Sequence, residues 1–222
     1  MAEKLGKIKK PSVKKFKKGR KIFFVPLIIT PFGQDKEFME LFNKYWEQAK
    51  TQVINLEEKL NKVSKIYHEL VTSTGEEGIK TIEKMNTGSY DIVKSSLDKG
   101  ASIQPIEDGD VLLEFMDWSR CLSVGLQNQK VFSQVYQSFL EAQKRRNEHI
   151  AKKIDETLKS NEIGILLMRE GHQVQFASDI QVFYVAPPGL DEIRRWFQKK
   201  DDITQEKQQE KEEKKAPETK EE

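Results

Sequence analysis

The sequence predicts a single α/β domain: a mostly parallel sheet flanked by long helices, with a disordered charged segment at each end. Three observations predict it. Short, partly β-branched apolar runs alternate with longer stretches whose apolar residues recur every three or four positions. The runs are apolar at consecutive positions, the pattern of strands buried on both faces. Apolar residues also become sparse at both ends, which leaves residues 21–198 as the folded part, a basic leader at 1–20 and a mixed-charge tail at 199–222.

Taken in order, the first run is KIFFVPLIITP from Lys21, closed by Pro31 and Gly33, a buried-strand profile. Phe38, Leu41, Phe42, Tyr45, Ala49, Val53, Leu56 and Leu60 follow at three- and four-residue steps with Lys, Glu and Gln between them, predicting a long amphipathic helix. KVSKIYHELV is of strand length and stops at Thr-Ser-Thr-Gly, after which GEEGIKTIEKM reads as a helix. A further helix lies around Tyr90–Leu97 and ends at Lys99-Gly100, and ASIQPIED supplies a third strand bounded by Pro105 and the turn IEDGD. Asp110–Gln127 and Lys130–Leu158 keep helical spacing and are expected to form the largest helical layer. EIGILLMR and IQVFYVAPP are two more strands, and LDEIRRWF closes the domain as a short helix carrying Trp196.

Composition narrows the class. A chain of 222 residues with 36% hydrophobic and 33% charged residues fits one core plus tails. No apolar run approaches the roughly 18–20 residues of a membrane span, and nothing resembling a signal peptide follows the lysines, so a cytoplasmic protein is expected. The only cysteine, Cys121, has no internal disulfide partner and is expected to be a small buried hydrophobe. The net charge of +2 hides segregation: Met1–Arg20 carries nine basic residues against Glu3 alone. That leader would reach nucleic acid through phosphate contacts, although its aromatic content is limited to Phe16.

Ligands of open α/β sheets bind beyond the carboxyl ends of the strands. Glu69 closes KIYHELV, Glu107 and Asp108 close ASIQPIED, and Gly171-His172 follows GILLMRE. Arg146 shares a helix face with Phe139, Ala142 and Ile150, where a guanidinium needs a carboxylate or phosphate partner. Glu114, between Asp110 and Trp118, is a further candidate for the same crevice. Carboxylates, an imidazole and a guanidinium together suit general acid–base chemistry, an anionic ligand or a divalent metal held by Glu69 and His172. They suit a structural ion-pair network equally. His68 should face the opposite side of its strand from Glu69, and both His68 and His149 read as structural.

These features, in this order, resemble the TraB, PrgY and Tiki superfamily, and more distantly the ChaN-like haem-binding proteins. The matching pieces are YHELV at Glu69, RRNEHIAKKIDETL with Arg146, and IGILLMREGHQV with His172. The resemblance implies a site of glutamates, an arginine and histidines, which in Tiki-type members supports metal-dependent peptide cleavage and in others inactivates peptide signals. The family's first strand normally ends in Gly-x-x-His, whereas IFFVPLIITPFG has no histidine, and His172 directly follows Gly171 instead of standing three residues after it. A metal site would have lost one ligand and shifted another. That implies a divergent ligand-binding or regulatory member. A metal-dependent hydrolase, or an adaptor binding an unknown protein through its tails, are the alternatives.

Overall fold

Strand β1 (Arg20–Pro26) is buried along almost its whole length, as its apolar run predicts. The computed structural model, which describes residues 18–29 and 35–213, continues through α1 (Lys36–Lys59), β2 (Lys65–His68), α2 (Gly75–Met85), α3 (Thr87–Leu97) and β3 (Ser102–Ile103). It then runs through α4 (Gly109–Ser123), α5 (Gln129–Thr157), β4 (Ile163–Met168), β5 (Ile180–Tyr184) and α6 (Pro188–Glu213). The five strands form one sheet in the order β3-β2-β4-β1-β5, and every pairing is parallel.

The sheet separates two cores, and the period of two along each strand decides which residue enters which. Phe23 and Val25 of β1, with Ile165 and Leu167 of β4, pack under α1, α2, α3 and α6. Ile22, Phe24, Leu166 and Met168 face the other way, onto Ile150 and Ile154 of α5. The larger helical layer is therefore the one on the α1 side, not the α4–α5 side that the sequence suggests. Part of the opposite face is covered by the segment between β4 and β5, whose Val174, Phe176 and Ala177 join the second core in place of a helix. Because β4 and β5 are parallel and both flank β1, this segment is a crossover.

Several boundaries differ from the sequence reading. Arg20 belongs to the sheet, not to the leader: its guanidinium bridges Asp155 at 2.7 Å and Asp179 at 2.6 Å and also reaches the Asp155 carbonyl near the end of α5. Residues 1–17 of the leader, the candidate nucleic-acid contact, lie outside the described residues. Helix α6 does not stop at Phe197 but runs on to Glu213, so the first half of the expected tail is helical. Trp196 and Phe197 pack on Phe38, and Lys200 reaches Asp35 at 3.0 Å and the Trp196 ring at 5.0 Å. Cys121 is exposed rather than buried, because the end of α4 lies away from the sheet. Among the described residues no helix is long and apolar enough to cross a membrane.

Candidate functional site

Three strand ends meet where the sequence places them. Glu69 directly follows β2, Glu107 closes the loop after β3, and the segment Arg169–His172 leaves β4, the strand beside β2. Helix α5 brings the cation. Its buried stripe runs Ala142, Arg146, Ile150, Ile154, and only Arg146 among these stands level with the strand ends.

Arg146 donates from Nε to Glu107 at 2.9 Å and from Nη2 to Glu69 at 3.0 Å, and Nη2 also pairs closely with Glu107 Oε1. All three side chains are almost wholly buried. Phe115 of α4 lies under the guanidinium, 4.8 Å from its centre to the ring centroid. Such a group must keep its partners, since a buried charge left unpaired is strongly destabilising.

The residue that sequence reasoning missed is Arg169. Its backbone N–H donates to Glu69 Oε2 at 2.8 Å, and its guanidinium donates to Glu69 from Nε at 3.1 and 3.2 Å and from Nη2 at 2.8 Å, while its side chain stays 49% exposed. The signal was present: a charged residue immediately after a fully apolar strand sits at the carboxyl edge of the sheet. Burial alone would raise the pKa of Glu69. The hydrogen bonds and charge of Arg169, with the charge of Arg146, outweigh it and hold the carboxylate below its ordinary range.

Backbone geometry serves the same cluster. Leu70, a non-glycine residue at φ +67°, turns its N–H onto Glu107 Oε1 at 3.1 Å, and it occupies a sparsely populated conformation to do so. Asp108 acts as a turn former, accepting the N–H groups of Asp110 and Val111 as the cap of α4.

His172 lines the same cavity of about 280 Å³ as Glu69, Arg146, Arg169 and Asn147, without a hydrogen bond to any of them among the described residues. Its ring is edge-on to Phe24 and Phe176, and Nδ1 accepts the Val174 N–H at 3.3 Å, which puts the proton of the neutral ring on Nε2. Burial lowers its pKa despite the nearby charge of Glu69. The structure thus brings Glu69, Glu107 and Arg146 into contact and sets His172 at the cavity wall.

Other candidates go elsewhere. Glu114 does not point into the crevice. It pairs at the surface with Arg145 at 2.6 Å, which lowers its pKa. His68 faces the opposite core, as expected, bonded through Nδ1 to the Glu69 carbonyl at 2.7 Å and through Nε2 to Ser89 Oγ at 3.1 Å.

The donor set does not fit a divalent metal. Both oxygens of Glu69 already accept guanidinium hydrogens, two cations stand beside it, and no group of three or more His, Cys, Asp or Glu gathers among the described residues. Glu69 and His172, the candidate metal pair of the sequence, line one cavity but are joined there by no third such ligand among the described residues. The charged and ring groups that remain unengaged are donors, and the side-chain amides add both donors and acceptors. Every carboxylate oxygen of Glu69 and Glu107 has a donor, whereas Nη1 of Arg146, Nη1 of Arg169, Nε2 of His172 and the amides of Asn147 and Gln143 have no hydrogen-bond partner among the described residues. The cavity offers hydrogen-bond donors over an apolar floor of Phe115, Phe139 and Met168. No family model, curated protein or solved structure matches the chain.

Proposed function

We propose that this protein is a ligand-binding domain whose strand-end cavity receives the carboxylate of a small molecule, in the manner of a divergent, non-catalytic relative of the TraB, PrgY and Tiki proteins. One observation carries the reading: the carboxylate oxygens of Glu69 and Glu107 are saturated, while two guanidinium nitrogens and the His172 ring N–H are left open as donors. A carboxylate entering there meets planar, fork-like donors suited to bidentate contact. The charges of Glu69, Glu107 and the cavity-lining Glu170 are matched by those of Arg146, Arg169 and Arg194, so the ligand's charge faces no net repulsion. The same saturation argues against a metal-dependent hydrolase, because no carboxylate and imidazole set is left to hold the ion.

Thermal unfolding in the presence of 3-phenylpropionate and its uncharged analogue 3-phenylpropanamide tests this. A ligand at about 100 times its Kd stabilises by about 2.7 kcal/mol, which in a chain of this size raises Tm by roughly 5–10 °C. The acid is expected to raise Tm in the wild type and not in Arg169→Met, a change at a half-exposed side chain, and the amide to do neither. Equal shifts with acid and amide, or none with the acid, would overturn the proposal.

A further inference from the structure

Beside the donor-lined cavity lies a second one of about 270 Å³, lined by Phe24, Phe176, Val182 and Tyr184 and sharing Glu170, Gly171 and His172 with the first. Its walls are apolar for a structural reason. Val182 and Tyr184 project from the same side of the edge strand β5, next to Phe24 of β1, on the face that α5 leaves uncovered. They remain 45% and 46% exposed, while Ile180 on the same side of the strand is buried. Tyr184 stacks on Phe24 with centroids 5.3 Å apart, and its hydroxyl is held by Glu170 and Arg194. The wall is therefore fixed in place.

The stretch shared by the two cavities is Glu170, Gly171 and His172, and Gly171 at its middle carries no side chain. Gly171 is exposed at φ +80°, and a Cβ built there would meet no heavy atom within 4 Å. Glycine adds no side chain to this shared stretch, the saddle from one cavity to the other, with His172 beside it. Asn147, 7% exposed and without a hydrogen-bond partner among the described residues, lines the deeper, polar side.

From these features we infer that the ligand is an amphipathic monocarboxylate with a flat apolar body of one or two rings: its carboxylate enters the Arg146–Arg169 side and its body crosses Gly171 to lie on Phe176, Val182 and Tyr184. The inference rests on the carboxylate reading above and adds the class of molecule. His172 Nε2–H, at the saddle, faces any acceptor that joins head to body.

Calorimetric titration of the full chain with 1-naphthylacetate, and displacement of it by acetate, separates the two ideas. Covering about 100 Å² of apolar surface predicts that naphthylacetate binds on the order of 50-fold more tightly than acetate. Val182→Glu, an exposed position, is expected to remove most of that advantage and leave acetate binding as it was. Gly171→Asn, which tolerates the left-handed backbone, is expected to reduce the advantage as well by putting a side chain where the two cavities meet. If naphthylacetate and acetate bind alike, or Val182→Glu leaves the advantage intact, the apolar half of the site is wrong while the carboxylate half stands. If 1-naphthylacetamide binds as tightly as the acid, or no carboxylate binds at all, the carboxylate reading fails and this inference with it.

Discussion

Glu69 shows how much depends on single residues here. Its carboxylate is nearly inaccessible to solvent, yet it collects donors from Arg146, from the Arg169 side chain and from the Arg169 backbone. Burial pushes its pKa up and those donors pull it further down, so the folded value lies below the unfolded one. The linkage sign follows. The unfolded chain takes up a proton near pH 4.3, the ordinary glutamate value, while the folded chain does not until lower pH. The stability Glu69 contributes is present above that point and is lost as pH falls through the folded value. Urea unfolding followed between pH 6 and pH 3 should therefore show a steeper loss of stability in the wild type than in Glu69→Gln below about pH 4.5. Parallel curves for the two would remove Glu69 from the account. Burial also lowers the pKa of His68 against the opposing charge of Glu69, which adds an earlier loss beginning near pH 6.5 that is somewhat larger in Glu69→Gln.

At the scale of elements, β4 explains how the site is positioned. It lies between β1 and β2, and Gly164 lets it do so: a Cβ there would come within 2.6 Å of Tyr67 Cε2 on the neighbouring strand. Tyr67 fills that space and bonds Thr157 of α5 at 2.9 Å, locking the helix to the sheet below Arg146. Gly164→Ala should cost about 1–3 kcal/mol by overpacking, read as a lower urea midpoint, and Tyr67→Leu in the same chain should recover part of it. A neutral Gly164→Ala would mean that β4 is free to shift.

Elements of this kind were legible in the sequence because burial writes a period into it. The consecutive apolar positions of β1 and β4 announced central parallel strands, and the stripe from Phe38 to Val53 announced α1. Helix α6 beyond Phe197 was not legible, since its sequence there is too polar for any face to be marked by apolar residues. Cys121 was misread because sequence alone does not show that the end of α4 lies away from the sheet.

For the molecule as a whole, the order β3-β2-β4-β1-β5 decides what can meet. It sets β2 beside both β3 and β4, so residues 69, 107 and 169, far apart in the chain, end at one edge under α5. The sequence named Glu69, Glu107 and Arg146 because strand ends and a charged residue in an apolar stripe are local signals. It missed Arg169, whose importance depends on which strand neighbours β2, and it left metal binding open because spacing cannot say that guanidinium groups have already taken the carboxylate oxygens.

The central claim is that Arg146 and Arg169 present donors to a carboxylate in the strand-end cavity. The most direct measurement is a titration of the full chain, labelled at arginine side chains, with 3-phenylpropionate, followed by guanidinium ¹H–¹⁵N NMR. The Arg146 and Arg169 signals are expected to shift together and saturate at one dissociation constant, while Arg20, paired with Asp155 and Asp179 at the start of β1, stays still. Signals of Arg146 and Arg169 that do not move, or that move no more than that of Arg20, would contradict it.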